Sequence, residues 1–287
     1  MKVHKAVIPV AGFGTRMLPA AKALPKELLP ILDRPTIQYV AQEAADAGLD
    51  DLLLVTSRDK RAIEDHFDRS AELESRLAAS GKQALLRSLR ELMNKIKIHS
   101  VRQPEQHGLG DAVNQARRFA GDQPFLCMLG DTLFSGDLLP ATQMVRAAEA
   151  LGTAVIGLEE VAPDKVNRYG IVAGELIGDG LLKITGLVEK PTPASAPSRL
   201  AIAARYILTP DIFDCLDQTP RGTGNEIQLT DALRILLQRR PIHGVILKAR
   251  RHDIGNLQDW LATNLIFAAR DPALWKELRP LLDSLPR

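Results

Sequence analysis

The chain has 287 residues, 45% hydrophobic and 25% charged, the balance of an ordinary globular protein able to bury a core without disulfide or metal staples. Lys plus Arg number 37 against 35 for Asp plus Glu, a formal charge of +2, which excludes a general polyanion or nucleic-acid binder and makes any anion site local. Cys127 and Cys215 lie far apart among apolar neighbours and read as reduced thiols, MKVHKAVIPVAG turns to glycine before a secretory apolar core develops, and no apolar run approaches the ~20 residues of a membrane span, so a cytoplasmic protein off the membrane is expected.

In chain order, Lys5 to Val10 is an apolar, β-branched run that AGFG ends. Helical spacing runs from Ile37 to Ala47, from Lys60 to Arg69, in pieces from Ala71 to Ile96, and from Asp111 to Ala120. Between these lie DLLLVT, KIHSV and PFLCML, which read as buried parallel strands. Strand alternating with helix implies right-handed βαβ crossovers and a doubly wound sheet. Ligands of such sheets collect beyond the carboxyl ends of the strands, where AGFGTR and LGDT are both expected.

After Asp137 the pattern changes. TAVIGLEEV, YGIVAGEL, LLKITGLVEKP and LAIAARYIL are strands separated by turn residues, so this half extends the sheet and adds antiparallel elements. Pro191 to Ser198 reads as a surface loop, Glu226 to Gln238 as a helix, Gly244 to Lys248 as a strand, and the chain from Leu257 onward as a helical tail.

The most informative stretch is VAGFGTRMLPAAKALPKELLP, where two glycines, a threonine and three cations follow a buried strand. Gly12 and Gly14 let backbone N–H groups approach phosphate oxygens. Arg16 can fork onto a triphosphate, and Lys26 can place a compact charge beside the phosphorus under attack. A dinucleotide fingerprint needs a third glycine in a loop that opens a helix. Here Pro19 and Pro25 block a long helix, and a GK[ST] phosphate loop is absent. Two glycines alone describe a turn with solvated cations; three cations packed among prolines narrow that reading.

The run GFGTRMLPAAKALPKELLP resembles the signature of the nucleotidylyltransferases that make sugar nucleotides, and its LPAxKxxPKExLP form resembles the bacterial UTP:glucose-1-phosphate uridylyltransferase family. The similarity continues in order through IQYV, VRQ, GLGDA, RYGIV, VEKP, RYIL, EIQLTDA and HDIGN, nearly the whole chain. It implies an α/β fold, a Rossmann-like mixed and mostly parallel sheet flanked by helices, with a smaller antiparallel sugar-binding extension. The single domain over 1–287 would comprise a nucleotide-binding half (1–137), a sugar-phosphate-binding half (138–255) and a C-terminal helical segment (256–287). The implied reaction joins UTP and α-D-glucose 1-phosphate to give UDP-glucose and pyrophosphate, with Mg²⁺ as cofactor, in a homo-oligomer (dimer or tetramer).

Carried over residue by residue, the resemblance gives Ala11, Gly12, Gln103 and Gly108 to the base and ribose. It gives Gly14, Thr15, Arg16 and Lys26 to the triphosphate, Asp131 and Asp253 to the metal, and Gly170, Glu189, Lys190 and Glu226 to the sugar phosphate. A glutamine amide offers a donor and an acceptor at once, which suits a pyrimidine imide. Mg²⁺ typically takes one or two carboxylates plus phosphate oxygens and water. Alone, Gln103 would pass for a surface polar group, Asp131 for a turn former, Glu226 for the first-turn acid of a helix, and Asp231 for a helix-surface residue. The implied step is an in-line displacement without a protein nucleophile, resting on alignment and charge neutralisation by Mg²⁺, Arg16, Lys26 and Lys190.

Several positions depart from the family pattern: Ala21 for threonine, Asp111 for histidine, LGDT for an LPD run, Ala204 for glycine, and Asn225 before EIQLTD. The GDT form is shared with nucleotidylyltransferases using other bases or sugars, and Ala204 adds a methyl group beside the expected sugar pocket. Two alternatives stay open. One is a sister thymidylyl- or cytidylyltransferase. The other is a catalytically silent nucleotide-sugar-binding paralogue, which should lack a metal aspartate or a phosphate-binding cation; Arg16, Lys26, Asp131, Lys190 and Asp253 are all present. An NAD dehydrogenase is weaker, for want of the third glycine. Trp260, Leu261, Leu265, Phe267, Leu274 and Trp275 in the tail are core or subunit contact.

Overall fold

A computed structural model describes residues 1–285. The first strand, β1 (Lys5–Pro9), is followed by three short 3-10 turns at Thr15–Met17, Ala20–Lys22 and Lys26–Leu28 rather than by a helix, because Pro19 and Pro25 cannot donate to a continuing helical ladder. A short hairpin of β2 (Pro30–Ile31) and β3 (Arg34–Pro35) leads into α1 (Thr36–Asp46). Then come β4 (Asp51–Thr56), α2 (Arg61–Phe67), α3 (Ala71–Ala79), α4 (Gln83–Met93), β5 (Lys97–Arg102), α5 (Leu109–Asn114), α6 (Arg117–Ala120) and β6 (Phe125–Met128).

These strands pair in parallel in the spatial order β5-β4-β1-β6. The chain leaves β1 for β4 and β5 on one side and returns to β6 on the other. The order therefore reverses between β1 and β6, and the loops beyond their carboxyl ends, 10–14 and 129–131, flank the crevice where doubly wound sheets bind ligands.

The second half supplies β7 (Thr132–Ser135), α7 (Pro140–Leu151), β8 (Ala154–Glu160), β9 (Gly170–Gly178), β10 (Leu181–Glu189), β11 (Leu200–Leu208), α8 (Ile212–Asp217), α9 (Leu229–Leu237), β12 (Ile242–Ile246), β13 (Arg250–Asp253), α10 (Leu257–Ala269) and α11 (Pro272–Ser284). It continues the same sheet to nine strands, β5-β4-β1-β6-β11-β8-β12-β10-β9, with β11 antiparallel to both β6 and β8. A separate antiparallel ribbon of β7 and β13 pairs Thr132 with Asp253.

Alternation along the central strands sends successive side chains to opposite faces. Ile8, Leu52, Leu54, Leu126 and Met128 join α1 and α7 in one core, while Val7, Leu53, Val55, Phe125 and Cys127 join α5, α8 and α9 in the other. Burial on both faces is why these strands read as continuous apolar runs.

Three sequence expectations are corrected. KIHSV is not a buried strand: β5 lies at the sheet edge with Lys97, His99, Ser100 and Arg102 exposed, the charged rim that discourages edge pairing. The helix expected from Glu226 begins at Leu229, since Glu226 is extended (φ −104°, ψ 150°). The strand expected at Gly244 to Lys248 is β12, two residues earlier.

The tail divides residue by residue. Trp260 Nε1 donates to the Pro30 carbonyl at 3.0 Å, and the Phe267 ring sets its edge against Tyr39 and His252. Leu261 and Leu265 are exposed, and Leu274 and Trp275 are half-buried. Cys127 and Cys215 are both buried and free. Among the described residues no helix is long and apolar enough to cross a membrane.

Candidate active site

The loop after β1 is fixed by Val10 N–H donating to the Val55 carbonyl and by Gly14 at φ 68°, which opens the first 3-10 turn. A Cβ on Gly14 would meet the Lys26 side chain at 3.3 Å, so glycine here allows the lysine to cross the loop. Lys26 then reaches Asp131, its ammonium donating to Oδ2 at 2.5 Å. The turn that carries Lys26 is pinned by the neighbouring buried pair Lys60–Glu27 at 2.8 Å. Burial opposes both charges of the Lys26–Asp131 pair, but the neighbouring charges together outweigh it. Asp131 and then Glu27 hold Lys26 above its usual value, and Lys26 and then Arg16 hold Asp131 below the usual carboxylate range. Both groups are therefore charged at neutral pH.

Asp131 sits in the loop from β6 to β7, and its anchor is the fully buried Arg205. This guanidinium pairs with Glu43 (Nη2 to Oε2, 2.7 Å; Nε to Oε1, 3.1 Å) and donates to the carbonyls of Thr132 and Ala204, both at 3.0 Å. It also lies over the Phe134 ring at 4.8 Å. Glu43 Oε1 in turn accepts the Ala141 N–H at 3.0 Å. Strand β11 accommodates Arg205 by a bulge: its pairing with β8 shifts between Ile202–Leu158 and Tyr206–Ile156. Within the bulge Ala204 takes φ 57°, a left-handed conformation that disfavours a residue with a Cβ by roughly 1 kcal/mol. Its carbonyl accepts the Leu129 N–H, tying the bulge to the Asp131 loop.

Asp253 reaches the same place from the C-terminal half. The β7–β13 ribbon sets it opposite Thr132, and the Ile254 N–H donates to the Asp131 carbonyl at 3.2 Å. Asp253 Oδ1 accepts the Gly255 N–H at 2.9 Å. A Cβ on Gly255 would lie 2.7 Å from Arg16 Nη2 and 2.9 Å from Asp253 Oδ1, so only glycine leaves both side-chain ends where they are. Among the described residues no three His, Cys, Asp or Glu gather into a closed metal cage. Two carboxylates, Asp131 in the β6–β7 loop and Asp253 at the end of β13, instead fit a hard divalent cation that completes its shell with phosphate oxygens and water.

Gln103 follows β5, its N–H donating to the Thr56 carbonyl at 2.8 Å. Its Nε2 donates to Asp111 Oδ2 at 2.6 Å and to the Gly108 carbonyl at 3.2 Å. The sequence expectation that this amide offers a donor and an acceptor together is corrected accordingly, because its nitrogen is already committed within the protein. Gly108 has φ 96° and faces Glu226 and Ile227 so closely that a Cβ would fall 2.8 Å from Glu226 Cβ. Two backbone bonds, Gly110 N–H to Ile227 O and Ile227 N–H to His107 O, hold that approach and bring Glu226 to the cleft.

At the other end Gly170 pairs with Glu189 across β9 and β10. Lys190 turns through φ 44°, donates its N–H to the Tyr169 carbonyl, and sets Nζ 3.2 Å from Glu189 Oε1. A Cβ on Gly170 would touch Ile202 and Thr230 at 2.9 Å.

The residues selected from sequence all line two cavities that meet at Asp131. One, of about 440 Å³, is lined by Ala11, Gly12, Gly14, Thr15, Lys26, Gln103 and Gly108. The other, of about 480 Å³, is lined by Arg16, Gly170, Glu189, Lys190 and Asp253. Asp131 and Glu226 line both. Asp231 stands apart, paired with Arg234 at 3.0 Å on the surface of α9. Sequence reasoning missed Arg205, Glu43 and Arg251, the last stacked 4.3 Å from the Tyr169 ring and paired with Glu159. The one available signal was a charge inside the apolar run LAIAARYIL.

The chain is similar to known proteins over most of its length. The uridylyltransferase YngB of Bacillus subtilis (strain 168), named a UTP–glucose-1-phosphate uridylyltransferase, is 48% identical over 255 residues, 89% of this chain and 86% of that protein. A UDP-glucose pyrophosphorylase solved with UDP-glucose superposes with a TM-score of 0.87 at 38% identity, covering 94% of this chain and all of that one. The UTP-bound enzyme of Acinetobacter baumannii gives a TM-score of 0.91 at 36% identity over 99% of this chain and all of its own. The Nucleotidyl transferase family model matches residues 5–269, and the chain belongs to that family.

Proposed function

We propose that this protein is a uridylyltransferase that joins UTP and α-D-glucose 1-phosphate, giving UDP-glucose and pyrophosphate. The observation that carries the reading is the meeting of two chemically different cavities at the Lys26–Asp131 pair. One is walled by a glycine loop suited to phosphates, the other by carboxylates and a lysine suited to a sugar phosphate. The relatives named for this reaction, and the neighbours solved with UTP and UDP-glucose, support the same pair of ligands.

In this reading the Gly12–Gly14 backbone, Thr15, Arg16 and Lys26 hold the triphosphate, while Ala11, Gln103 and Gly108 receive the base and ribose. Glu189 and Glu226 accept hydrogen bonds from sugar hydroxyls, and Lys190 offsets the charge of the sugar phosphate. A phosphate oxygen of glucose 1-phosphate attacks the α-phosphorus in line, and pyrophosphate leaves. The attacking oxygen is already ionised at neutral pH and needs no activation by the protein, so the residues of this reading align and neutralise the reactants. Enzymes of this family generally use a divalent metal; we assign Mg²⁺, held by Asp131 and Asp253, where it would offset charge on the reacting phosphates. The reading includes a cytoplasmic, homo-oligomeric enzyme.

The test is ³¹P NMR of the purified protein with Mg²⁺, UTP and glucose 1-phosphate, run beside Asp131→Asn and Lys190→Ala. UDP-glucose and pyrophosphate should appear together, and each variant should slow them by orders of magnitude while its circular dichroism stays native. Near-normal turnover in either folded variant would refute its assigned role.

A further inference from the structure

Within the cavity read as the nucleotide site, Gln103 has an orientation it cannot exchange. Its Nε2 donates to Asp111 Oδ2 at 2.6 Å and to the Gly108 carbonyl at 3.2 Å. A carboxylate and a carbonyl can only accept, and a primary amide has two N–H groups to give. Both are used. Turning the amide by 180° would set its oxygen against two acceptor oxygens, replacing two hydrogen bonds by two repulsions.

What remains for a ligand is Oε1. No described residue donates to it, and among the described residues no buried side-chain oxygen lacks a partner. Oε1 is therefore not sealed inside the protein, and Gln103, only 4% exposed, shows it to the cavity it lines with Ala11 and Gly12. Asp111 is itself held: its Oδ1 accepts from Gln115 Nε2 at 3.4 Å, one turn along α5.

We propose that Asp111 is a specificity-determining positioning residue, which locks the Gln103 amide with its oxygen toward the base and so selects pyrimidines that carry a proton on N3. Uracil and thymine present an N3–H donor to that oxygen. Cytosine presents a bare N3, an acceptor facing an acceptor. The lock therefore separates UTP from CTP and leaves UTP and dTTP to be told apart elsewhere. The inference rests on reading this cavity as the nucleotide site.

The test measures kcat/KM for UTP and for CTP with glucose 1-phosphate, and in parallel the binding of each nucleotide by calorimetry without the sugar phosphate, in the wild type and in Asp111→Asn. An asparagine can turn its amide nitrogen toward Gln103, which removes the shorter of the two contacts that oppose a flip and leaves only the longer one, to the Gly108 carbonyl at 3.2 Å. The UTP:CTP ratio should fall at least about tenfold in both measurements, the worth of a hydrogen bond exchanged for a repulsion, while the KM for glucose 1-phosphate stays put. Asp111→Ser, whose hydroxyl both donates and accepts, should lower the ratio in the same way and serves if the asparagine variant misfolds. An undiminished ratio, or equal losses of UTP and CTP, would overturn the lock while leaving the uridylyltransferase reading intact. A wild type that binds and turns over neither nucleotide would overturn both readings.

Discussion

Replacing Arg205 by methionine isolates what a buried charge does for the site. The change keeps length and apolar bulk but leaves Glu43, 4% exposed, without its counter-charge. Stranding one partner of a buried ion pair destabilises a protein by about 3–5 kcal/mol, a large part of the 5–15 kcal/mol typical of a domain. Adding Glu43→Gln removes the stranded charge, and the glutamine oxygen can still accept the Ala141 N–H. The Ala204 carbonyl keeps its bond from Leu129, so the principal remaining loss is the donor to the Thr132 carbonyl, about 1–3 kcal/mol. Arg205→Met/Glu43→Gln should therefore be more stable than Arg205→Met alone, by about 2 kcal/mol in urea unfolding at unchanged m-value. Activity should not follow stability, because both variants lose the donor that anchors the loop carrying Asp131. Pyrophosphate release assayed where both are folded should stay depressed in each. A double variant no more stable than the single one, or a folded Arg205→Met of full activity, would refute this account of Arg205.

Three further outcomes follow from single contacts. Gly255→Ala places a methyl group against Arg16 and Asp253; the ends of both side chains can yield, so the melting temperature should change little. Turnover should still drop on the order of 10²-fold, as for a catalytic group displaced by about 1 Å, measured as kcat. At Ala204, with φ 57°, glycine should leave stability within about 1 kcal/mol, as relief of strain is offset by a freer unfolded chain. Valine should destabilise by more than that on urea unfolding, since a β-branched residue is excluded from the left-handed region. Finally, hydrogen bonds from Arg69 and then Arg90 lower the Glu74 carboxyl to about 2. Because its folded value lies below its unfolded one, the contribution is complete above the unfolded value and is lost as pH falls toward 2. The stability gap between wild type and Glu74→Gln should be full at pH 6 and close on acidification, and a gap independent of pH would contradict the assignment.

Of the residues that line the two cavities, those of the loop after β1 were legible in the sequence from their own types. Gly12, Gly14, Pro19, Pro25 and the cations between them break the strand–helix rhythm and mark the loop, whereas Asp131 and Asp253 were picked out only by the family resemblance, since alone Asp131 passes for a turn former. The central strands β1, β4 and β6 were legible because strands buried on both faces are apolar throughout, whereas β9 and β10, exposed along much of their length, were read from the turn residues between them. Edge position left no such mark. KIHSV has the β-branched composition of a strand, yet burial depends on what pairs beside it, and β5 has a single neighbour. The supports of the site were also hidden. Arg205 meets Glu43, and Lys60 meets Glu27, only through tertiary packing. The start of α9 was displaced because Glu226 and Ile227 are held extended by the His107–Gly110 backbone, a contact no local propensity encodes. Asp111 could be seen as a departure from the family pattern, but its bond to Gln103 required the turn at Gly108.

The central claim is tested most directly by pyrophosphate release from purified protein with Mg²⁺, offering UTP, dTTP, CTP, ATP and GTP in turn against the 1-phosphates of glucose, galactose and N-acetylglucosamine. The account predicts fastest release with UTP and glucose 1-phosphate. Preference for another pair would contradict the substrate assignment and shift attention to Asp111 and Ala204, and no release from any pair would contradict the uridylyltransferase reading itself.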